Sequence, residues 1–295
     1  MSVIYFITTQ DINTFQKKLP ETLFHDINIP FSKLFDRRYT ALIDTAYLRL
    51  TLPQEYLTPE IYHRLRELSL LWSFDFFIKP QSLPANGIIA FDMDSTFIKE
   101  EGVDEIACAL GMTAQIAAIT QQAMEGKLDF NASFTRRIGM LKGTPKEVLN
   151  AVCDRMTLSP GLSTILPIIK AKGFKTAIIS GGLDIFTQRL KTRYQLDYAF
   201  SNTVEIRDNG LTDNITLPIM NATRKKQTLV ELGDQLGITT ANIIACGDGA
   251  NDLPMLQHAG IGVAWKAKPL VREKIHHQIN YHGFELLLFL IEDEL

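Results

Sequence analysis

The sequence has few cysteines and no marked excess of either charge. Cys108, Cys153 and Cys246 lie far apart without a CxxC pair, which argues against a disulfide framework and against a zinc site. Such cysteines favour a reducing compartment, and we expect a cytoplasmic protein. Thirty Lys and Arg residues against 33 Asp and Glu give a formal net charge of -3. The balance offers no broad basic face for a phosphate backbone, so we expect no nucleic-acid partner.

A long hydrophobic run is also missing. The longest apolar stretch, Leu286 to Ile291, is far shorter than the roughly 20 residues of a membrane-spanning helix. The first residues, MSVIYFITTQDI, lack the basic lead and the cleavage-like tail of a signal peptide. We therefore expect no membrane contact and interpret the C-terminal segment FELLLFLI as a docking helix. Self-association of this segment into a homodimer stays open as an alternative.

Residues 1–82 have the pattern of a small α+β domain. Val3 to Thr9 and Trp72 to Lys79 are predicted strands, and Leu48, Leu50 and Leu52 alternate with polar residues as in a half-buried strand. Thr58-Pro59-Glu60 has the composition of a helix start. A linker rich in turn-forming residues follows at residues 80–87, so we place a domain boundary there.

Short apolar strands alternate with helical patterns from residue 88 onward. Ile88 to Phe91 is typical of a strand that is buried on both faces of a parallel sheet. Similar strands are predicted at Thr176 to Ile179, Tyr198 to Phe200, Asn242 to Cys246 and Ile261 to Ala264, and helices at Leu162 to Lys172, Leu183 to Arg193 and Gln227 to Gly237. The alternation predicts an α/β fold with a doubly wound, Rossmann-like parallel sheet, built from residues 83–101 and 158–295.

Residues 102–157 interrupt this alternation and are helical in pattern throughout. Apolar stripes predict three helices that end near Gly111, Gly126 and Gly143, and Thr144-Pro145-Lys146-Glu147 has the spacing of a capping box that opens a fourth. The segment therefore predicts an inserted helical cap above the sheet. A hairpin is also expected near Val204 to Leu217, with its turn at Asp208-Asn209-Gly210.

Four polar clusters follow the predicted strands. Asp92 and Asp94 come directly after the first core strand, and a DxD triplet alone is usually an exposed acidic turn. Ser180-Gly181-Gly182 offers a hydroxyl and free backbone N–H groups that suit phosphate, although such a triplet alone is commonly a turn. Lys225 alone would be a solvated charge. Together with Gly247 to Asp252 these clusters share one edge of the sheet, where ligands bind in this architecture.

The charges of these clusters require compensation. A phosphate dianion beside Asp92, Asp94 and Asp248 would gather about five negative charges, at roughly 4 kcal/mol of repulsion per pair. A divalent cation and Lys225 can cancel this charge, and Asp94 can be kept protonated, as a general acid requires. Oxygen ligands favour a hard ion, and Mg²⁺ is the expected cofactor.

The order DxDST, SGG, Lys and GDGAND resembles the haloacid dehalogenase (HAD) superfamily of aspartyl-phosphate phosphatases. Within it, FDMDSTFIKEEGVDEIA, MEGKLDFNASFTRRI, IISGGLDI and CGDGANDLPM are similar to the phosphoserine phosphatase family, over about residues 88–275. The resemblance implies a HAD-like fold and Mg²⁺-dependent hydrolysis of O-phospho-L-serine to L-serine and phosphate, the last step of L-serine biosynthesis. The strand-helix pattern of residues 1–82 resembles the amino-acid-sensing (ACT-like) domains found beside such enzymes.

The resemblance also implies a role for each site residue. Asp92 is the expected nucleophile and Asp94 the general acid and base. The expected metal ligands are Asp92, the main-chain carbonyl of Asp94, and Asp248, with Asp252 supporting the metal and Lys225. Phosphoryl contacts are implied for Ser180, Gly181, Lys225 and Asn251. In the cap, Glu101 and Arg137 would hold the ammonium and carboxylate of serine, with Glu100 and Arg136 as the competing assignments, and Met124 and Phe130 would supply apolar contacts.

Three other functions stay open at this point. A phosphotransferase would use the same intermediate but pass the phosphoryl group from phosphoserine to another hydroxyl compound. A phosphorylation-switch receiver also combines Asp, Ser or Thr, and Lys around Mg²⁺, although the helical insertion and Asp94 argue against it. A non-catalytic amino-acid sensor with a relic phosphatase body is disfavoured because every expected catalytic position is filled.

Overall fold

The computed structural model describes residues 2–23, 35–40, 44–80, 86–124 and 127–292. The strands are β1 (Ser2–Thr8), β2 (Phe35–Thr40), β3 (Thr45–Leu52), β4 (Phe74–Pro80), β5 (Ile88–Phe91), β6 (Lys175–Leu183), β7 (Tyr198–Asn202), β8 (Val204–Arg207), β9 (Gly210–Ile215), β10 (Ile243–Gly247), β11 (Ile261–Trp265) and β12 (His277–Ile279). The α-helices are α1 (Ile12–Leu23), α2 (Pro59–Trp72), α3 (Gly102–Ala109), α4 (Thr113–Met124), α5 (Phe130–Met140), α6 (Lys146–Arg155), α7 (Leu162–Ala171), α8 (Asp184–Tyr194), α9 (Ala222–Leu236), α10 (Leu253–His258), α11 (Pro269–Lys274) and α12 (Leu288–Ile291).

One mixed sheet organises the molecule, in the strand order β2-β3-β1-β4-β12-β11-β10-β5-β6-β7. The strands from β12 to β7 pair in parallel, whereas β1 to β4 pair antiparallel. All four residues of β5 and all five of β10 are buried, as strands covered by helices on both faces must be. The predicted α/β fold with a doubly wound parallel sheet is confirmed.

The N-terminal strands and helices form a β1-α1-β2-β3-α2-β4 unit with the split βαβ arrangement of a ferredoxin-like fold. Strand β4 pairs antiparallel with β12 through Phe76 and Gln278, so this unit extends the sheet of the core. The buried carboxylate of Asp75 in β4 reinforces the junction by accepting hydrogen bonds from the backbone N–H groups of Asn280, Tyr281 and His282. A division into domains near residue 82 stays a proposal, and residues 81–85 of the expected linker lie outside the described residues.

The apolar C-terminal segment lies against the N-terminal unit. The ring of Phe289 is 5.2 Å from that of Tyr5 and 4.9 Å from that of Tyr47, measured between centroids. Residues 284 and 286–291 are buried, so this segment docks on its own chain as the sequence predicts. Among the described residues, no helix combines the length and the apolar character that crossing a bilayer requires.

Helices α3 to α6 form the predicted cap insertion. The chain enters and leaves it through two adjacent segments, which form an antiparallel bridge between Ile98 and Leu158. The expected helix end at Gly126 lies outside the described residues. The predicted capping box is wrong, because Pro145 occupies the N-cap of α6 and the Thr144 hydroxyl donates to the carbonyl of Leu141.

The predicted hairpin is present as β8 and β9. Its turn residues Asp208 and Asn209 have φ of 48° and 64°, as a two-residue turn of the I′ class requires. The turn packs against the cap, where the backbone N–H of Lys146 donates to the carbonyl of Asn209.

Candidate active site

Asp92 and Asp94 enter the site through a sharp turn at the end of β5. The N–H of Asp92 donates to the carbonyl of Cys246 at 2.9 Å, which continues the ladder between β5 and β10 by one residue. The chain then turns within residues 93–97, and Ser95 adopts a left-handed φ of 53°. This turn presents both carboxylates to the same cavity, which Asp92 and Asp94 line together.

A buried lysine links two of the acidic clusters. Lys225 Nζ, in the first turn of α9, lies 2.6 Å from Asp92 Oδ1 and 2.7 Å from Asp252 Oδ1. Asp252 is fixed further by the N–H of Gly249, which donates to Oδ2 at 2.9 Å. Its carboxyl group lies so close to Gly247 that a Cβ there would come within 2.6 Å, which explains the glycine after β10.

Asp248 completes a cluster of three carboxylates. One oxygen each of Asp92, Asp248 and Asp252 lie within 4.8 Å of one another, and all three side chains are buried. The Thr96 hydroxyl donates to Asp248 Oδ1 at 3.2 Å, and Lys268 Nζ lies 3.7 Å from Oδ2. Three carboxylates within this distance and built only from oxygen suit a hard divalent cation. The cluster thus offers oxygen donors to which a metal ion could bind.

The electrostatics of the cluster also favour an added cation. Burial, followed by the charge of Asp252, raises the pKa of Asp92 well above its usual value, and Lys225 offsets only part of this effect. Burial and Asp252 likewise raise the pKa of Asp248 to about 6. Burial lowers the pKa of Lys225, but the charges of Asp252 and Asp92 outweigh it and raise the pKa above that of a free lysine. Lys225 therefore stays protonated, but its single positive charge does not balance the negative charges of the neighbouring carboxylates.

Asp94 differs from its neighbours in its environment. Burial, then the charge of Glu101, raises its pKa to about 7, although the N–H of Gly102 donates to Asp94 Oδ1 at 2.8 Å. A carboxyl group with such a pKa can both give and take a proton near neutral pH. Asp94 Oδ2 lies on the side of Gly182, where an added Cβ would approach it to 3.0 Å.

The Ser180-Gly181-Gly182 turn at the end of β6 faces the same cavity. Gly181 and Gly182 line it, and the N–H of Gly182 donates to Ser180 Oγ at 2.9 Å. Phe130 of the cap stands opposite, because a Cβ on Gly181 would meet its ring at 2.9 Å. Backbone groups of β6 therefore form one wall of the cavity and a cap side chain forms another.

The cavity of about 350 Å³ is lined by Arg137 and Asp104 of the cap and by Glu101, which immediately precedes α3. Arg137 lines it, and its Nε is a buried nitrogen without a hydrogen-bond partner among the described residues. Burial lowers the pKa of Arg137, and the charges of Asp104, Asp94 and Glu101 act in the opposite direction. Glu101 also lines the cavity and accepts a hydrogen bond from the Ser95 hydroxyl at 2.7 Å.

Arg136 and Glu100, the competing assignments for the amino-acid contacts, do not line the cavity. Arg136 is exposed on α5 and lies 3.4 Å from Gln122 Oε1. Glu100 accepts hydrogen bonds from the N–H and the hydroxyl of Thr157, where the chain leaves the cap. These contacts favour Arg137 and Glu101 as the residues that meet a ligand.

Most of the sequence-predicted site residues converge on this cavity. Its lining includes Asp92, Asp94, Glu101, Phe130, Arg137, Gly181, Asp248 and Asn251, whereas Ser180, Lys225 and Asp252 are fully buried beside it. The side chain of Met124 lies outside the described residues. Three further polar residues that the sequence pattern did not indicate also line the cavity: Asp104, Ser133 and Lys268. Lys268 had a signal, since it follows the predicted strand β11 at the same edge of the sheet.

Known proteins share this fold. The model of the haloacid dehalogenase-like hydrolase family matches residues 87–260. The chain therefore belongs to the haloacid dehalogenase-like hydrolases. A crystal structure of a HAD family hydrolase from Salmonella enterica serovar Typhi is 83% identical, with a TM-score of 0.95 and complete coverage of both chains.

Within the family, the chain is similar to phosphoserine phosphatases. The phosphoserine phosphatase of Haemophilus influenzae is 42% identical over 70% of this chain, which spans 65% of that protein's length. A solved phospho-aspartyl intermediate analogue of phosphoserine phosphatase is 34% identical, with a TM-score of 0.66, over 71% of this chain and all of that one. The predicted resemblance to phosphoserine phosphatases is confirmed, and these relatives give no support to the phosphotransferase alternative.

Proposed function

We propose that this protein is a phosphatase that hydrolyses O-phospho-L-serine to L-serine and phosphate. The observation that carries the proposal is the pairing of Asp92 with the buried cation Lys225 in a cavity whose far side presents Arg137 and Glu101. A phosphorylated amino acid needs both halves of this cavity. Its phosphoryl group requires cations and N–H donors, and its zwitterionic end requires one cation and one anion.

In this proposal Asp92 attacks phosphorus and forms an aspartyl-phosphate. Lys225, at 2.6 Å, favours the charged, nucleophilic form of Asp92 and so opposes the effect of burial, and a bound cation would act in the same direction. Asp94 protonates the departing serine oxygen and later takes a proton from the attacking water, for which its pKa of about 7 is suited. The solved relative that contains a phospho-aspartyl analogue supports a covalent route in this family.

The phosphoryl oxygens are held by groups on three segments. We assign these contacts to the Ser180 hydroxyl, the N–H of Gly181, Lys225 and Asn251. Their worth lies in stabilising the charge that spreads over the oxygens in the transition state. Because the side chains of Ser180 and Lys225 are fully buried, they offer donors in a position from which water is largely excluded.

The cofactor in this proposal is Mg²⁺, held by Asp92, the main-chain carbonyl of Asp94, and Asp248. Both oxygens of Asp252 already accept hydrogen bonds, from Lys225 and Gly249, which supports a role beside the metal rather than on it. When bound, the ion supplies positive charge to the phosphoryl oxygens and lowers the pKa of its carboxylate ligands.

The cap reads the amino acid in this proposal. Arg137 would bind the substrate carboxylate, which gives its unpartnered Nε an acceptor, and Glu101 would bind the ammonium group. Phe130, which lines the cavity, would cover the short aliphatic part of the substrate. We also propose a cytoplasmic location, which the three free cysteines support.

Release of inorganic phosphate tests this function. The purified full chain should release phosphate from O-phospho-L-serine with Mg²⁺ and lose that activity after chelation, without any added hydroxyl acceptor. Serine and phosphate should appear in equal amounts. Activity that appears only with a second hydroxyl compound would replace the hydrolase by a transferase, and no release under either condition would remove the proposal.

A further inference from the structure

Strand β6 bulges at the Ser180-Gly181-Gly182 turn. Its parallel ladder with β7 is regular up to Ile179 and resumes at Leu183, which pairs with Asn202. Between these points β6 has three residues and β7 has one, so the backbone of the turn leaves the ladder. Its C=O and N–H groups then need partners other than a neighbouring strand.

The side chain of Asn202 supplies one of these partners. It is 1% exposed, and its Nδ2 donates to the carbonyl of Gly181 at 2.8 Å. Its Oδ1 accepts from the N–H of Met220 at 2.7 Å. Because one end meets an acceptor and the other a donor, the orientation of the amide is determined. Asn202 thereby ties the turn to the segment that leads into α9 and Lys225.

The bond to Gly181 also controls Ser180. The Gly181 carbonyl and the Gly182 N–H belong to one planar peptide, so fixing the first fixes the second. That N–H donates to Ser180 Oγ at 2.9 Å. Since the oxygen accepts this bond, the hydroxyl hydrogen is left for another acceptor, and none takes it among the described residues.

We infer that Asn202 is a positioning residue for phosphoryl binding. It holds the peptide between Gly181 and Gly182 so that the Ser180 hydroxyl donates into the cavity, and it does so without touching the substrate. The inference rests on the proposed function, which gives Ser180 a phosphoryl oxygen to bind. A buried asparagine that only stabilises the sheet is the competing explanation, and the two differ in what a substitution does to turnover.

Two substitutions test the inference. Asn202→Asp keeps the side-chain size and the acceptor for Met220 but places an oxygen against the Gly181 carbonyl, and Asn202→Ala removes both contacts. Each should lower kcat about tenfold or more, since a misdirected donor forfeits part of the roughly 10²-fold value of a transition-state hydrogen bond. KM should change less. The matched control is Thr187→Val, which removes a part-buried hydrogen bond to the Ser201 hydroxyl at 2.7 Å and should leave kcat within about twofold.

A double-mutant cycle separates positioning from stability. If Asn202 acts through Ser180, adding Asn202→Ala to Ser180→Ala should cost much less than it does in the native chain. Fully additive losses, a native kcat in both Asn202 variants, or the loss of the native fold in both would overturn the inference. Circular dichroism and a thermal melt of each variant decide the last case.

The choice of ester separates this inference from the proposed function. Each protein is assayed with O-phospho-L-serine and with p-nitrophenyl phosphate, which has a phosphoryl group but no amino acid. If the native chain cleaves only p-nitrophenyl phosphate, the proposed substrate is wrong, and the double-mutant cycle of Asn202 and Ser180 is measured with that ester. If it cleaves neither, calorimetric titration with orthophosphate and Mg²⁺ is the readout, and an unchanged affinity in Asn202→Ala overturns the inference.

Discussion

Lys225 Nζ lies 2.6 Å from Asp92 Oδ1, and both side chains are buried. The two residues come from chain segments 133 positions apart, at the end of β5 and the start of α9. Burial alone would drive Asp92 toward its neutral form, which is a poor nucleophile. The ammonium group opposes that tendency, so the pair connects the fold of the sheet to the reactivity of the carboxylate.

Removing this cation should abolish most of the activity. Lys225→Met leaves Asp92 and Asp252 buried without their shared partner, and we expect kcat to fall by about 10²-fold or more. The free energy of unfolding should also drop by about 3 kcal/mol, because an uncompensated buried charge is costly. Steady-state kinetics and urea unfolding measure the two effects.

The adjacent Lys226 provides the control, since it is exposed on the same helix. Lys226→Met should keep kcat and the unfolding free energy close to those of the native chain. Equal effects of the two substitutions would show that the Lys225–Asp92 contact has no special part in the chemistry.

Arg137 should matter for the amino-acid end of the substrate and not for phosphoryl transfer itself. Arg137→Met should lower kcat/KM for O-phospho-L-serine by about 10²-fold, because the substrate carboxylate loses a charged hydrogen-bond partner. Hydrolysis of p-nitrophenyl phosphate should change by less than about threefold. The ratio of the two specificity constants is the quantity to measure.

Arg136→Met is the matched control for this prediction. Arg136 is exposed and lies 3.4 Å from Gln122 Oε1, so its loss should leave both esters equally well hydrolysed. Equal losses on both esters in Arg137→Met would remove Arg137 from substrate recognition, and a selective loss in Arg136→Met would transfer the role to that residue.

We expect His277 to make the stability of the fold depend on pH. Burial lowers its pKa to about 4, outweighing the hydrogen bond with the carbonyl of Ile78. The unfolded chain, with a histidine pKa near 6.5, takes up a proton that the folded chain refuses. Stability from this residue is therefore complete above about pH 6.5 and is lost as the pH falls toward 4.

Urea unfolding at several pH values between 7 and 4 measures this loss. At 1.36 kcal/mol per pKa unit, and allowing for partial exposure of the ring, His277 should account for about 2 kcal/mol of the decrease. His277→Gln should flatten the curve by that amount. An unchanged slope in His277→Gln would assign the pH dependence to other groups.

The sequence indicated which residues line the cavity better than it indicated how the N-terminal unit joins the core sheet. Asp92, Ser180 and Asp248 follow strands whose continuous apolar runs are unmistakable, and parallel strands bring their carboxyl ends to one edge. The short strand β12 was not predicted, because three residues at His277–Ile279 carry too little periodicity. Its pairing with β4, which joins the N-terminal unit to the core sheet, depends on long-range packing that no local pattern records.

Hydrogen bonds between side chains and the backbone were also not predictable from the sequence. Asn202 carries no motif, and its importance emerges only when the bulge in β6 leaves the Gly181 carbonyl without a strand partner. The capping box at Thr144 failed for a related reason. The Thr144 hydroxyl donates to the carbonyl of Leu141, three residues earlier in the chain. This local hydrogen bond competes with helix capping, and the same residues are compatible with either one.

The central claim is that Asp92 accepts the phosphoryl group, and trapping the covalent intermediate tests it most directly. The protein is mixed with Mg²⁺ and O-phospho-L-serine that carries the radiolabel in its phosphoryl group. The reaction is quenched in acid within one turnover, and the protein is digested. We expect label on the peptide that contains Asp92, lost on treatment with hydroxylamine and absent from an Asp92→Asn variant. Label on any other residue, or full turnover by Asp92→Asn, would contradict the account.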